Sequence, residues 1–548
     1  MNVGESLLSA LKAAGAREIF GIPGDFVLPF FEVIEQSAIL PLYTLSHEPA
    51  VGFAADAAAR IGSRLGVAAV TYGAGALNMV NAVALAYAEK SPLIVISGAP
   101  GKHESAAGLS LHHQVRTLDS QMRIYAEITC EQIRIDDAAR APQQIAHALQ
   151  RALACSQPVY IELPRDMVKL PCVGVPDHVA DEVDRGAIHA CAGEILSSLA
   201  AAEHPVLMVG VEVRRFGLEA EVAELAARLA LPVVTSFLGR GVLAGTDALV
   251  RGTYLGSAGR TDVSALVENS DQLFLLGVIR SDTNFGTAPP SLDLKRAIHV
   301  IDGHVTHDDQ TWPAIPIVLL VRALLAQTIK GCAAIKGVTR VEHSPVSVDN
   351  AVITPIDISS AINQAMLRHG KLPIASDIGD CLFTAMEIDH SVFLSNSYYA
   401  SMGFGVPAGL GIQAATGSRA LVLVGDGAFQ MTGWELGNCF RHGWDPIVVV
   451  LNNSGWGMLR AFQPQSSFND LGDWHFADIA TSLGGNGQRV TTRHELRDAI
   501  DMAFSRRGKF ELIEVLMERD ALSPTLRRFV SAVKRLHNPA DRLVNASA

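Results

Sequence analysis

The apolar run Ala420-Leu421-Val422-Leu423-Val424 leads directly into Gly425-Asp426-Gly427, and a second run, Ile447-Val448-Val449-Val450-Leu451, leads into Asn452-Asn453. Short, continuous, β-branched runs closed by glycine or asparagine read as buried strands. The segment Phe429–His442 between them reads as helical. Asp426 and Asn453 are 27 positions apart (453 − 426), the length of one strand–helix–strand crossover. In such a unit both strands run the same way, so the two residues reach the carboxyl edge of one sheet, where α/β proteins bind ligands. A carboxylate, an amide oxygen and a nearby backbone carbonyl are hard oxygen ligands. They suit Mg²⁺, which shares its shell with phosphate oxygens and water. The glycines beside Asp426 let backbone N–H groups approach a phosphate at the start of the helix. Either turn alone is ordinary. Together, at this separation, they point to a metal–diphosphate site.

The same alternation of strands and helices extends over the rest of the chain. Apolar runs recur at Val67–Thr71, Leu93–Ser97 and Val159–Leu163, then at Val206–Val209, Pro232–Thr235, Gln272–Leu276 and Ile298–Ile301. A third set is Leu372–Ser376, Ala420–Val424, Ile447–Leu451 and Leu512–Leu516. This pattern predicts an α/β protein with three doubly wound parallel sheets. Polar, proline-containing stretches, Pro164–Arg185 and Lys330–Thr354 (with His343, Ser344 and Pro345), separate the three regions. The basic segment beyond Arg519 reads as a helix with a solvated face, or as a cover over a site.

Composition excludes several classes. With 44 basic against 56 acidic residues, and no Lys/Arg block, nothing attracts a nucleic-acid backbone or an anionic membrane. The stretch Leu65–Ala88 carries no charge, but Thr71-Tyr72-Gly73-Ala74-Gly75, Asn78 and Asn81 interrupt it, so a strand, a turn and a helix are expected there and not a membrane span. Seven scattered cysteines, with no CxxC spacing, read as reduced thiols of a cytoplasmic protein. The first twenty residues carry Glu5, Lys12, Arg17 and Glu18, so no signal peptide is expected.

The paired GDG and NN loops resemble the thiamine-diphosphate motif. Over essentially its full length the chain is similar to thiamine-diphosphate-dependent 2-keto-acid decarboxylases, and within them to the bacterial phenylpyruvate/indolepyruvate branch. The resemblance implies three domains: an N-terminal pyrimidine-binding domain at 1–170, a central α/β domain at 186–330 and a C-terminal diphosphate-binding domain at 350–540. It implies that Glu48, in Ser46-His47-Glu48-Pro49, faces the cofactor's aminopyrimidine ring. It makes Asp25, in Gly21-Ile22-Pro23-Gly24-Asp25-Phe26, and the pair His112-His113 the groups that handle protons. Thr71, Asp380, Cys381, Ala400, Met402, Gly425, Gly427, Ala428 and Asn453 would contact the cofactor. Asp426, Asn453 and the carbonyl of Gly455 would hold Mg²⁺. A homo-oligomer whose sites are shared between chains is implied, a homotetramer by the family pattern.

There is one departure. Where many pyruvate decarboxylases carry a glutamate after the NN pair, Asn452-Asn453-Ser454-Gly455-Trp456-Gly457-Met458-Leu459 places Leu459. An apolar residue there favours a large aryl or alkyl 2-keto acid, such as phenylpyruvate or indole-3-pyruvate, over pyruvate. Two alternatives stand beside this reading. One is a carboligase of the acetolactate-synthase type. The other is a nicotinamide-dependent dehydrogenase, because Gly403-Phe404-Gly405-Val406-Pro407-Ala408 satisfies G-x-G-x-x-A with an acid, Asp426, some way beyond. The strand that should precede that fingerprint is missing from the polar, aromatic sequence Ser395–Ser401.

Overall fold

The computed structural model describes residues 1–176, 183–289, 291–327, 346–389 and 391–537. Parts of both expected linkers, including His343, Ser344 and Pro345, and the expected domain end at 540 lie outside the described residues.

Three sheets carry the chain. The first runs, edge to edge, Leu42–Thr44, Ile19–Gly21, Gly66–Val70, Leu93–Ala99, Val159–Pro164 and Glu131–Arg134. The third runs Phe393–Leu394, Ile374–Ser376, Leu421–Gly425, Ile447–Asn452, Glu511–Leu516 and Asn486–Val490. Every pairing in these two sheets is parallel. Their central strands are buried on both faces, which is why they read as continuous apolar runs with no polar alternation.

The second sheet departs from expectation. Its strands Ile298–Ile301, Gln272–Leu276, Pro205–Val209, Val233–Thr235 and Val250–Thr253 are parallel, but an antiparallel meander, His304–His307 and Gln310–Trp312, extends one edge. Asp302 and Gly303 both hold positive φ (56° and 69°) and so form the type of two-residue turn that matches strand twist.

The first and third sheets meet through helices. Helix Glu48–Ile61 lies against Gly405–Thr416 so closely that a Cβ on Gly411 would fall 2.2 Å from the carbonyl oxygen of Ala54. Phe53 meets Phe404 edge-on at 5.8 Å, and one continuous apolar core joins the two halves. This explains the dehydrogenase-like glycines. They open a helix that packs on another helix, and no strand runs into Gly403.

Two further expectations are corrected. The segment expected as one helix over Phe429–His442 is broken into Asp426–Thr432, a 3₁₀ stretch Gly433–Asn438, and Cys439–His442. The basic tail is the helix Pro524–His537, but it is not simply a solvated face. It buries Leu526, Val530 and Ala532, and the Arg528 Nε donates to the carbonyl of Ala258 at 2.9 Å. Among the described residues no helix is long and apolar enough to cross a membrane, and six cysteines are unpaired.

Candidate active site

Parallel register brings the two diagnostic loops together. Gly425 pairs with Leu451 across the third sheet, and Asp426 and Asn453 each follow the last residue of their strand, so both leave the same edge. Asp426 is 3% exposed. Its Oδ1 accepts the Gly427 N–H and its Oδ2 the Gly455 N–H, each at 2.8 Å. Burial pushes its carboxyl up to about 6, opposed by those two N–H groups and by the charge of Arg460. A buried acid so poised gains from a cation. Asn453 is buried beside it, and the carbonyl of Gly455 accepts from the Gly457 N–H at 2.9 Å, leaving its second lone pair. A Cβ added at Gly379 or at Gly425 would meet nothing within 4 Å. One buried carboxylate, one amide, spare carbonyl capacity and open space at two glycines fit a divalent cation carrying a diphosphate.

Around this edge, Asp380 starts the short helix Asp380–Thr384 and is engaged by Ser523, whose N–H donates to Oδ2 at 2.8 Å and whose hydroxyl donates to Oδ1. Burial pushes Asp380 up to about 6. Cys381 is buried, and burial raises its thiol well above the ordinary range. Gly427 and Ala428 lie in the first turn of Asp426–Thr432, where N–H groups point outward.

The loop carrying Ala400 and Met402 is clamped at both ends. Glu89 Oε1 accepts the N–H groups of Tyr398 and Tyr399, each at 2.9 Å, and the buried Arg60 neutralises Glu89 at 2.8 Å. Asp377 accepts the N–H groups of Gly403 and Gly405 at 3.2 and 2.7 Å. Between these clamps Ala400 holds φ at 60°, a strained value for a residue with a side chain.

A second cluster belongs to the first sheet. His112 Nε2 lies 2.5 Å from Asp25 Oδ2, and His113 Nε2 lies 3.8 Å from Asp25 Oδ1. Partial burial acts to raise the Asp25 carboxyl, but the His112 hydrogen bond and charge outweigh it and hold the group below the usual range. Phe26 stacks on the His112 ring at 4.7 Å, and the Arg165 guanidinium lies 5.2 Å above the Phe26 ring. Glycines allow this convergence. A Cβ on Gly24 would fall 2.5 Å from Thr71 Cβ, and one on Gly73 would fall 2.0 Å from the His113 carbonyl oxygen. Thr71 Oγ1 is buried with no hydrogen-bond partner among the described residues, an orphan that a bound ligand would satisfy. An open crevice of about 600 Å³ borders Asp25, with Leu28, Pro29, His103 and Glu104 among its walls.

Glu48 begins the helix Glu48–Ile61 and accepts from Asn78 Nδ2 at 2.8 Å. Leu459, on the short helix Gly457–Phe462, is 49% exposed. Sequence reasoning missed Glu435 and Arg460. Glu435 is fully buried, accepts the Ser46 N–H at 2.9 Å and Asn438 Nδ2 at 2.8 Å, and so holds the turn just before Glu48. Burial pushes its carboxyl up to about 7, against the N–H groups of Ser46 and His47. The only signal for Glu435 was an acid within a segment that the crossover requires to be packed.

Comparison with known proteins agrees with this geometry. Family models match the chain in three places: the thiamine pyrophosphate enzyme N-terminal TPP binding domain at residues 1–124, the central domain at 192–328, and the C-terminal TPP binding domain at 377–515. The chain belongs to the thiamine pyrophosphate enzyme family. It is 57% identical to an indole-3-pyruvate decarboxylase of Azospirillum brasilense over 98% of this chain and 99% of that protein. It is 29% identical to an alpha-keto-acid decarboxylase of Mycobacterium avium over 94% of each, and 27% identical to a probable pyruvate decarboxylase of Schizosaccharomyces pombe over 97% and 96%.

Proposed function

We propose that this chain is a carboxy-lyase that decarboxylates an aryl 2-keto acid, indole-3-pyruvate or phenylpyruvate, to the aldehyde and CO₂ with thiamine diphosphate and Mg²⁺. The observation that carries this reading is the 57% identity, end to end, with the indole-3-pyruvate decarboxylase. Thiamine diphosphate, when bound, supplies the electron sink that a 2-keto acid lacks for the loss of CO₂. The chain's own residues supply position and protons. Asp426, Asn453 and the Gly455 carbonyl would hold Mg²⁺. Gly425, Gly427 and Ala428 would present backbone to the diphosphate, and Asp380 and Cys381 would contact the cofactor as well. Ala400, Met402 and Thr71 would line the cofactor's place. Glu48, at the start of its helix and held by Asn78 Nδ2, would face the cofactor's pyrimidine ring and hold a proton there. The Asp25–His112 pair, in contact at 2.5 Å, and His113 beside it would hold and move the proton that product formation requires.

The domain division 1–170, 186–330 and 350–540 is part of the same proposal. So is a homo-oligomer of shared sites, a dimer within a homotetramer. The exposed apolar side chains Met431, Trp434 and Phe440 (90% exposed), beyond Asp426 in the chain, support it. Unpaired cysteines support a cytoplasmic setting. The test is a substrate panel under one set of conditions. Arylpyruvates should exceed pyruvate in kcat/KM by about tenfold or more, the range one apolar contact supplies. A preference for pyruvate would overturn the substrate assignment and the role given to Leu459.

A further inference from the structure

Arg460 is the largest fully buried side chain of the described residues, at 2% exposed, and its guanidinium ties the Asn453–Gly455 loop to Arg519, Asn469 and Asp470. Nη1 donates to the carbonyls of Asn453 at 3.1 Å and Arg519 at 2.5 Å. Nη2 donates to the carbonyls of Ser454 at 2.9 Å and Asn469 at 3.3 Å, and to Asp470 Oδ1 at 3.0 Å. Two successive carbonyls of the loop are thus fixed by one planar fork. Within this loop Ser454 holds φ at 55°, a conformation that needs support from its surroundings. A Cβ on Gly455 would fall 1.7 Å from Arg460 Nη2, so the guanidinium occupies the volume that any other side chain at 455 would need. From the opposite side the Gly455 N–H is held by Asp426.

Burying a cation beside the ligands of another cation costs desolvation and repulsion, which the Asp470 carboxylate and four backbone carbonyls offset only in this geometry. A lysine ammonium there would keep the charge and lose the fork that reaches both carbonyls. We infer that Arg460 is a positioning residue that fixes the Asn453–Ser454–Gly455 loop in the shape that selects a small octahedral cation. This rests on the reading of Asp426, Asn453 and Gly455 as metal ligands. Mg²⁺ demands near-ideal octahedral geometry at short distance, whereas Ca²⁺ accepts a looser and larger shell. A loosened loop should therefore cost Mg²⁺ more than Ca²⁺.

The experiment titrates Mg²⁺, and separately Ca²⁺, into cofactor-free full-length protein with excess thiamine diphosphate, and reads cofactor retained after rapid gel filtration. Arg460→Lys should raise the half-saturating Mg²⁺ concentration by about 10–100-fold, the usual cost of losing a residue that orients a ligand. The Ca²⁺ value should move by less than about threefold. Asp470→Ala, at a position whose side chain is 45% exposed, removes one anchor of the guanidinium and should shift Mg²⁺ in the same direction by less. It carries the test if Arg460→Lys does not fold. Unchanged Mg²⁺ curves, or Mg²⁺ and Ca²⁺ curves that shift together, would overturn the positioning role. Retention that ignores Mg²⁺ in both wild type and Asp426→Ala would overturn the metal reading itself, and this inference with it.

Discussion

Gly73→Ala puts the Asp25–His112–His113 cluster under direct load. Gly73 holds φ at 63° and ψ at −99°, a region closed to ordinary side chains. Its new Cβ would stand 2.0 Å from the His113 carbonyl oxygen and 2.6 Å from His113 Cβ. A comfortable carbon–oxygen contact needs roughly 1 Å more, so the His112-His113 backbone must retreat by about that distance. The Asp25–His112 contact of 2.5 Å cannot survive such a shift unchanged. A misplacement of about 1 Å costs about 100-fold in rate, and kcat for an arylpyruvate should fall by that order. Gly174→Ala, whose Cβ meets nothing within 4 Å, is the matched control and should behave as wild type. Steady-state kinetics with saturating cofactor, alongside circular dichroism to confirm folding, gives the answer. A folded Gly73→Ala protein with kcat within about threefold of wild type would refute the claim that this backbone contact positions the histidines.

Three other outcomes are expected. Glu48→Gln should keep the cofactor but slow hydrogen–deuterium exchange at its thiazolium C2 by orders of magnitude, read by NMR after acid quench; exchange at the wild-type rate would leave Glu48 as a helix-start residue only. Glu435, moved from its ordinary 4.5 to about 7, contributes stability that is fully present below pH 4.5 and lost as pH rises through 7. The loss corresponds to about 3 kcal/mol, so the apparent melting midpoint of wild type should fall between about pH 4.5 and 7 more steeply than that of Glu435→Gln, and parallel pH profiles would contradict it. Finally, Glu48→Ala and Asp426→Ala proteins, each inactive, should recover about a quarter of wild-type activity when unfolded and refolded together. Half the dimers are then mixed and half of their sites are free of lesions. No recovery despite proven mixing would refute the shared site.

The central strands were legible because burial on both faces leaves continuous apolar runs such as Ile447–Leu451 and Leu93–Ser97, and the GDG and NN loops stood at the ends of two of them. The short strands Ile19–Gly21 and Leu42–Thr44 escaped because three residues carry no period. The antiparallel meander carries one local signal, the Asp302-Gly303 turn, between strands too short to reinforce it. Asp25 and His112 are 87 positions apart, and only the resemblance linked them; nothing in the spacing could. Glu435 and Arg460 stayed hidden for a different reason. A charge in a helical segment normally marks a solvated face, and these two are buried because backbone N–H groups and carbonyls of neighbouring loops surround them.

The most direct test of the account is to supply purified protein with indole-3-pyruvate, thiamine diphosphate and Mg²⁺ and to measure CO₂ and the aldehyde in the same vessel. A decarboxylase of this kind yields the two in equal amounts, with neither formed when the cofactor is left out. CO₂ released with a carbon–carbon ligation product in place of the aldehyde, or no CO₂ at all, would contradict it.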